Sequence, residues 1–162
     1  VGLLGSHMID VVHWFMDDSL PTSAVASGGR YAWKEREHED TLYALFDYPK
    51  GFMLRYLTGL GNSTGNGCYF FGTNGTFDTT TWKATGVGGA GEKKIKEERV
   101  IESRAGMNHV RNFLECVRSR QTPNASIADG YAHSICAIMA EMSLRTGKKI
   151  IYDHEKQELR EC

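Results

Sequence analysis

Two alternating stretches joined by Pro49-Lys50-Gly51 constrain this chain more than any other feature. From Thr41 to Tyr48 every second residue, Leu42, Ala44, Phe46 and Tyr48, is apolar, and Tyr43 and Leu45 stand between them. Successive side chains of a β-strand point to opposite faces, so the first four share one face and Tyr43 and Leu45 share the other. Phe52 to Thr58 repeats the pattern. With a turn at Pro49-Lys50-Gly51 the two stretches are expected to form an antiparallel hairpin. Apolar residues on both faces cannot all be left in water, so one face calls for helices and the other for a partner.

The rest of the chain supplies those helices and more strands. Met8, Val11, Val12 and Phe15 recur at helical spacing, which predicts a first helix from Ser6 to Met16, capped by Ser6 and closed by Asp17-Asp18-Ser19 and Pro21. Ser23 to Tyr31 reads as a strand, and the charged run from Lys34 to Asp40 as a solvated loop. Tyr69 to Thr73 and Thr76 to Thr79 flank Asn74-Gly75, the pair suited to a type I′ turn. A helix over Asn108 to Arg118, with Val110, Phe113, Leu114 and Val117 as its apolar stripe, is expected to cover the sheet. Ser126 and Asp129 have capping-box spacing ahead of a long helix that carries Ile127, Tyr131, Ile135, Ile138 and Met142 and stops at Gly147. Lys149 to Tyr152 reads as a last edge strand. The expected class is α+β, a mostly antiparallel open sheet with helices on one face and the other face free for oligomerisation.

At 162 residues there is room for one domain of ordinary size. A formal net charge of -1 speaks against binding nucleic acid or an anionic membrane by bulk charge. No apolar run approaches the roughly 20 residues that span a bilayer. The four cysteines, Cys68, Cys116, Cys136 and Cys162, include no C-x-x-C pair and read as reduced and structural. The glycine run Gly86 to Gly91 leads into Glu92-Lys93-Lys94 and on to Arg99 instead of opening an amphipathic helix, so it reads as a surface loop and not a phosphate cradle. Val1 is not an initiator methionine, so the chain reads as part of a longer one; a cytoplasmic location is slightly favoured, with an export signal left open. Gly5-Ser6-His7-Met8 matches a tetrapeptide often left by expression vectors, but it runs unbroken into an amphipathic segment and is read as native.

Several stretches together look like one known family. They are Gly5-Ser6-His7-Met8-Ile9-Asp10 leading to Trp14, Phe71-Gly72-Thr73-Asn74-Gly75-Thr76, His109 to Leu114, and Pro123 through Asp129-Gly130 to Ser143. In this order they resemble the C-terminal domain of the Gfo/Idh/MocA oxidoreductases, over essentially the whole chain. The resemblance implies that residues 1–162 form the substrate-binding and oligomerisation domain of a two-domain enzyme. NAD or NADP would be bound mainly by an N-terminal domain absent from this chain, with no cofactor on these residues. It further implies a sugar, polyol or derivative as substrate, and homo-dimers or tetramers paired through the sheet face.

The family's first helix carries an aspartate and, four residues later, a histidine that line the substrate pocket and assist proton transfer. The histidine matches His7, whereas the aspartate position holds Leu3, which can neither take a proton nor bond a hydroxyl. An imidazole in hydrogen-bond reach of a carbinol can polarise or deprotonate it, so His7 is the catalytic candidate, assisting a lysine of the other domain. Asp10, one helical turn beyond, either orients His7 and touches substrate or satisfies backbone groups near the helix start. A metal site built from His7, Asp10 and His13 is disfavoured, because the two histidines lie about 120° apart around a helix. His109 either caps its helix or faces the cleft. Trp33, Trp82, Tyr56 and Arg55 could meet a sugar, though aromatic residues in strands are usually packing. Two alternatives remain: a non-catalytic module that binds carbohydrate or a sister subunit, favoured by Leu3, and a lyase or hydrolase that still uses His7.

Overall fold

The computed structural model describes residues 2–62, 67–102, 106 and 108–162, and the side chains from residue 5 onward. In chain order the elements are α1 (Gly2–Met16), β1 (Ser23–Gly29), β2 (Thr41–Asp47), β3 (Met53–Gly59), β4 (Tyr69–Gly72), β5 (Gly75–Asp78), β6 (Lys83–Thr85), β7 (Arg99–Val100), α2 (His109–Ser119), α3 (Ile127–Thr146), β8 (Ile150–Asp153) and β9 (Glu158–Glu161). They form two compact units, Val1–Ser63 with Arg120–Cys162, and Thr64–Ser119. Both sheets are antiparallel, so the class is α+β as expected, with two sheets where the sequence pointed to one.

The first unit is built on the alternating hairpin. Its sheet runs β3-β2-β1-β8-β9, with Leu42, Ala44, Phe46 and Tyr48 buried and Tyr43 and Leu45 exposed, as the period-two pattern requires. β2 faces β1 with Val25 opposite Leu45, and β3 with Tyr43 opposite Leu57. α3 packs on β1 and β8, while α1 packs on α3 and β3, so the helices lie over one face. β8 proves to be an inner strand, because β9, which carries only Leu159 among charged residues, extends the sheet beyond it.

Helix α1 starts before Ser6, since Gly2-Leu3-Leu4 continue it. Gly5 is buried inside the helix, where a Cβ would sit 3.0 Å from the Tyr56 ring, so the bare backbone is what lets α1 approach β3. At its other end Asp17 turns left-handed, with φ 49, and the Lys50 ammonium donates to the Met16 and Asp17 carbonyls. Helix α3 has the expected ends: a Ser126–Asp129 capping box and a left-handed Gly147. Of its expected stripe Ile135 is buried and Met142 packs against the core, but the rest of the buried face lies elsewhere. Ala132, Cys136, Ala140 and Ser143 let the helix come close to the sheet, while Ile127, at 91% exposure, and Ile138 point outward. Ser143 Oγ accepts from the Ala26 N–H at 2.9 Å, where β1 has run past its pairing with β8.

In the second unit the order is β4-β5-β6-β7. The β4–β5 hairpin forms, but Gly72 faces Gly75, so Thr73 and Asn74 occupy the turn and neither has a positive φ. A type I′ turn is therefore not what closes it; Gly75, with φ 150, instead begins β5. The Gly86–Gly91 run lies across this turn as a strap: Ala90 and Gly91 both donate to the Thr73 carbonyl, and Ile95 to that of Asn74. At Gly89 a Cβ would sit 2.6 Å from the Asn74 carbonyl carbon, which explains the glycine by close approach. Helix α2 buries none of its residues; Val110, Phe113, Leu114 and Val117 are exposed, contrary to a covering role. Asn108 Oδ1 caps it by accepting from Arg111 N–H, which removes that duty from His109.

Candidate functional site

Helix α1 separates its polar residues by azimuth. Ile9, Val12 and His13 face the core, and His7, Met8 and Trp14 face outward, with Asp10 half-buried. His7, Asp10 and Trp14 stand three and four residues apart, which places them on one strip of the helix. Leu3, at the position where the resemblance implies an aspartate, has a side chain outside the described residues. The structure thus brings His7 and Asp10 onto one accessible surface of a helix held by its other side. Between them the structure gives no hydrogen bond.

His13 belongs to a different environment. It is only 6% exposed, and its Nε2 lies 2.8 Å from the Tyr48 hydroxyl, which in turn lies 3.5 Å from Cys136 Sγ. The ring joins α1 to the end of β2 and to α3. Its Nδ1 is buried with no hydrogen-bond partner. Burial is the main reason its pKa drops to about 4, with the nearby His133 adding to the depression and Asp18 and Asp129 opposing it. Burial likewise pushes the Cys136 thiol up to about 11 and the Tyr48 phenol above its ordinary value. These groups stay neutral, so they suit docking and not nucleophilic chemistry. The sequence marked His13 only as a third possible ligand; Tyr48 and Cys136 carried no local signal. Among the described residues no three His, Cys, Asp or Glu groups could share a metal ion.

Other candidates are taken up by packing. Tyr56 is buried beneath Gly5, Trp82 lies edge-on to Phe77 with centroids 6.0 Å apart, and Trp33 stacks under the Arg36 guanidinium at 4.2 Å. The charged run is a loop as expected, but Asp40 at its end is fully buried. Its carboxylate accepts from the Ala32 and Trp33 amides at 2.8 and 2.9 Å and from the Thr41 hydroxyl, which holds its pKa down at about 2. All four cysteines are free. The glycine strap does not fit a dinucleotide: it opens no helix, and the Ala90 and Gly91 amides are spent on Thr73 and that of Gly89 on Gly86. Among the described residues no helix is long and apolar enough to cross a membrane.

The outer face of the five-stranded sheet is the second candidate surface. Val25, Tyr43, Leu45, Met53 and Leu57 are exposed there on three adjacent strands, with Arg55 beside Leu45. It is an apolar patch with charged neighbours.

Comparison with known proteins bears on the fold and the family. The chain is similar to an aldose-aldose oxidoreductase of Caulobacter crescentus solved with glycerol, at 14% identity and a TM-score of 0.71, over 91% of this chain and 45% of that one. It is similar to the WlbA dehydrogenase of Bordetella pertussis solved with NADH and UDP-GlcNAcA, at 21% identity and a TM-score of 0.65, over 92% and 43%. An oxidoreductase of Agrobacterium radiobacter solved with NAD+, L-tartaric acid and magnesium matches at 17% identity and a TM-score of 0.67, over 91% and 47%. The chain thus spans less than half the length of these three proteins. No curated protein sequence matches it. The family model described as the oxidoreductase family, C-terminal alpha/beta domain, matches residues 1–155, and on that match the chain belongs to the Gfo/Idh/MocA oxidoreductases.

Proposed function

We propose that this chain is the substrate side of an NAD(P)-dependent oxidoreductase acting on a sugar, polyol or derivative, with His7 catalytic and His7 and Asp10 contacting substrate. The observation that carries the reading is the pairing, one helical turn apart, of an exposed imidazole and a carboxylate on a helix whose opposite side is fixed in the core. Two of the similar structures were solved with hydroxyl-rich molecules, UDP-GlcNAcA and glycerol, and two with a nicotinamide nucleotide.

Bound nicotinamide would accept the hydride leaving the carbinol carbon; no residue of this chain is assigned to it. His7 would hold the carbinol hydroxyl by a hydrogen bond and assist transfer of its proton to the lysine that the resemblance places in the other domain, while Asp10 would take a neighbouring hydroxyl or fix the imidazole. A carboxylate accepts two hydroxyl hydrogen bonds readily, which suits a polyol. The exposed sheet face would pair with a second copy of the chain, to give a dimer or a tetramer.

The test is His7→Gln in the full-length protein, assayed with NAD and NADP against a panel of sugars and polyols. Removing a proton-transfer group should lower kcat by about a hundredfold or more with a smaller change in KM. Unchanged turnover would eliminate His7 as a catalytic group. Retained carbohydrate binding without turnover in the unaltered protein would favour instead the binding module that Leu3 suggests.

A further inference from the structure

His13 is buried with one nitrogen engaged and the other alone, and this arrangement tolerates only one charge state. An orphaned lone pair costs less than an orphaned N–H, so we assign the proton to Nε2, which donates to the Tyr48 oxygen while the Tyr48 hydroxyl turns to Cys136 Sγ. A second proton would have to sit on Nδ1, converting a tolerated acceptor into a buried donor with nothing to donate to. Asp18 and Asp129 favour a charged ring by their negative charge, but neither accepts from Nδ1, and each holds other partners. Asp18 Oδ2 accepts from the Lys50 N–H at 2.9 Å, and Asp129 Oδ2 accepts from the Ser126 N–H and hydroxyl, both at 2.8 Å. The remaining neighbours, Tyr48 and Cys136, are neutral, and His133 repels a positive ring.

We propose that His13 makes the seating of helix α1 on the sheet dependent on pH, with the helix docked only while the ring is neutral and loosening as it takes up a proton. The device lies beneath the helix that carries His7 and Asp10, yet it does not rest on their role. What moves is α1 itself, hinged at the Lys50 clip beyond its C-terminal end.

The sign follows from the two states. In a loosened α1 the imidazole is solvated and titrates near 6.5, whereas docked it titrates near 4, so the loosened state binds more protons between these values and gains as pH falls through that window. From pH 7 to pH 5 the opening equilibrium should shift by about 20-fold.

Amide hydrogen exchange on this chain at the two pH values, corrected for intrinsic chemistry, reads this directly. The expected result is an acceleration of about 20-fold for the amides of Ile9 to Met16, with a smaller change in β2. His13→Gln keeps a donor at the Nε2 position but does not titrate, and should abolish the acceleration. Should that variant fail to fold, proton NMR of the unaltered chain decides: His13 should titrate well below 6. Equal acceleration in α1 and β2, an acceleration that persists in His13→Gln, or a His13 titration near 6.5 would each overturn the proposal.

Discussion

Replacing Leu45 with lysine tests whether the exposed sheet face seats a second copy. Leu45 lies on β2 between Val25 and Arg55, and the patch around it leaves Val25 at 37%, Tyr43 at 51%, Leu45 at 36%, Met53 at 61% and Leu57 at 49% exposure. Burying such a side chain completely contributes roughly 1.5 to 3 kcal/mol, so covering what remains open yields about 1 kcal/mol for each residue. Five residues on each of two copies supply about 10 kcal/mol, the order needed to offset the entropy of association. Across a two-fold interface one substitution acts twice, removing about 2 kcal/mol of apolar cover. Two lysine heads in the covered patch cost at least about 2 kcal/mol more in desolvation. The sum of about 4 kcal/mol corresponds to a dissociation constant about a thousandfold weaker. Sedimentation velocity over a wide range of concentrations reads this, with Ile127→Lys on the outer side of α3 as the control. The monomer itself should keep its stability to within about 0.5 kcal/mol, because the Leu45 side chain contributes little to the core. An unaltered chain that stays monomeric at every concentration, or equal weakening by Ile127→Lys, would refute the reasoning.

Two further substitutions probe the scaffold. Lys50→Met keeps the aliphatic stem but removes the ammonium that closes α1 onto the Met16 and Asp17 carbonyls, and should lower unfolding stability by about 1 kcal/mol in a urea titration with an unchanged slope. The exposed ion pair with Asp17 adds little, so Asp17→Asn should cost much less. Gly89→Ala would force a Cβ to within 2.6 Å of the Asn74 carbonyl carbon, which is backbone and cannot swing aside. The strap should lift from the β4–β5 turn at a cost of about 1 to 3 kcal/mol, seen as faster proteolysis between residues 86 and 95 with α1 and α3 unaffected.

What the sequence disclosed and what it hid follow from the range of the interactions involved. The alternation over β2 and β3 and the capping box of α3 were legible because each is complete within a few neighbouring residues. The buried stripe of α3 was legible only at Ile135 and Met142. Size favoured Ile127, Tyr131 and Ile138 as core residues, whereas the close approach of helix to sheet favours Ala132, Cys136, Ala140 and Ser143, and nothing in α3 alone reveals how near β1 will come. The hairpin turn shifted by one residue for the same reason: Gly75 pairs with Gly72 as the first residue of β5, and its bare backbone answers to the close approach of Thr85 and Gly86. Strands β6, β7 and β9 lack an apolar run of their own and exist through their pairing partners.

The site divides along the same line. His7 and Asp10 were visible because a motif and a helical spacing are local; on α1 His7 is exposed and Asp10 half-buried. His13 was visible as a residue but not as a role, since its partners Tyr48 and Cys136 lie 35 and 123 residues away. Helical geometry permits the distinction: six residues beyond His7 is about 120° around the axis, so one histidine can turn inward while the other faces out. A buried imidazole in that position fixes the depth and rotation of the helix, and hence where His7 is presented. The chemistry proposed for the outer face of α1 therefore depends on a neutral group on its inner face.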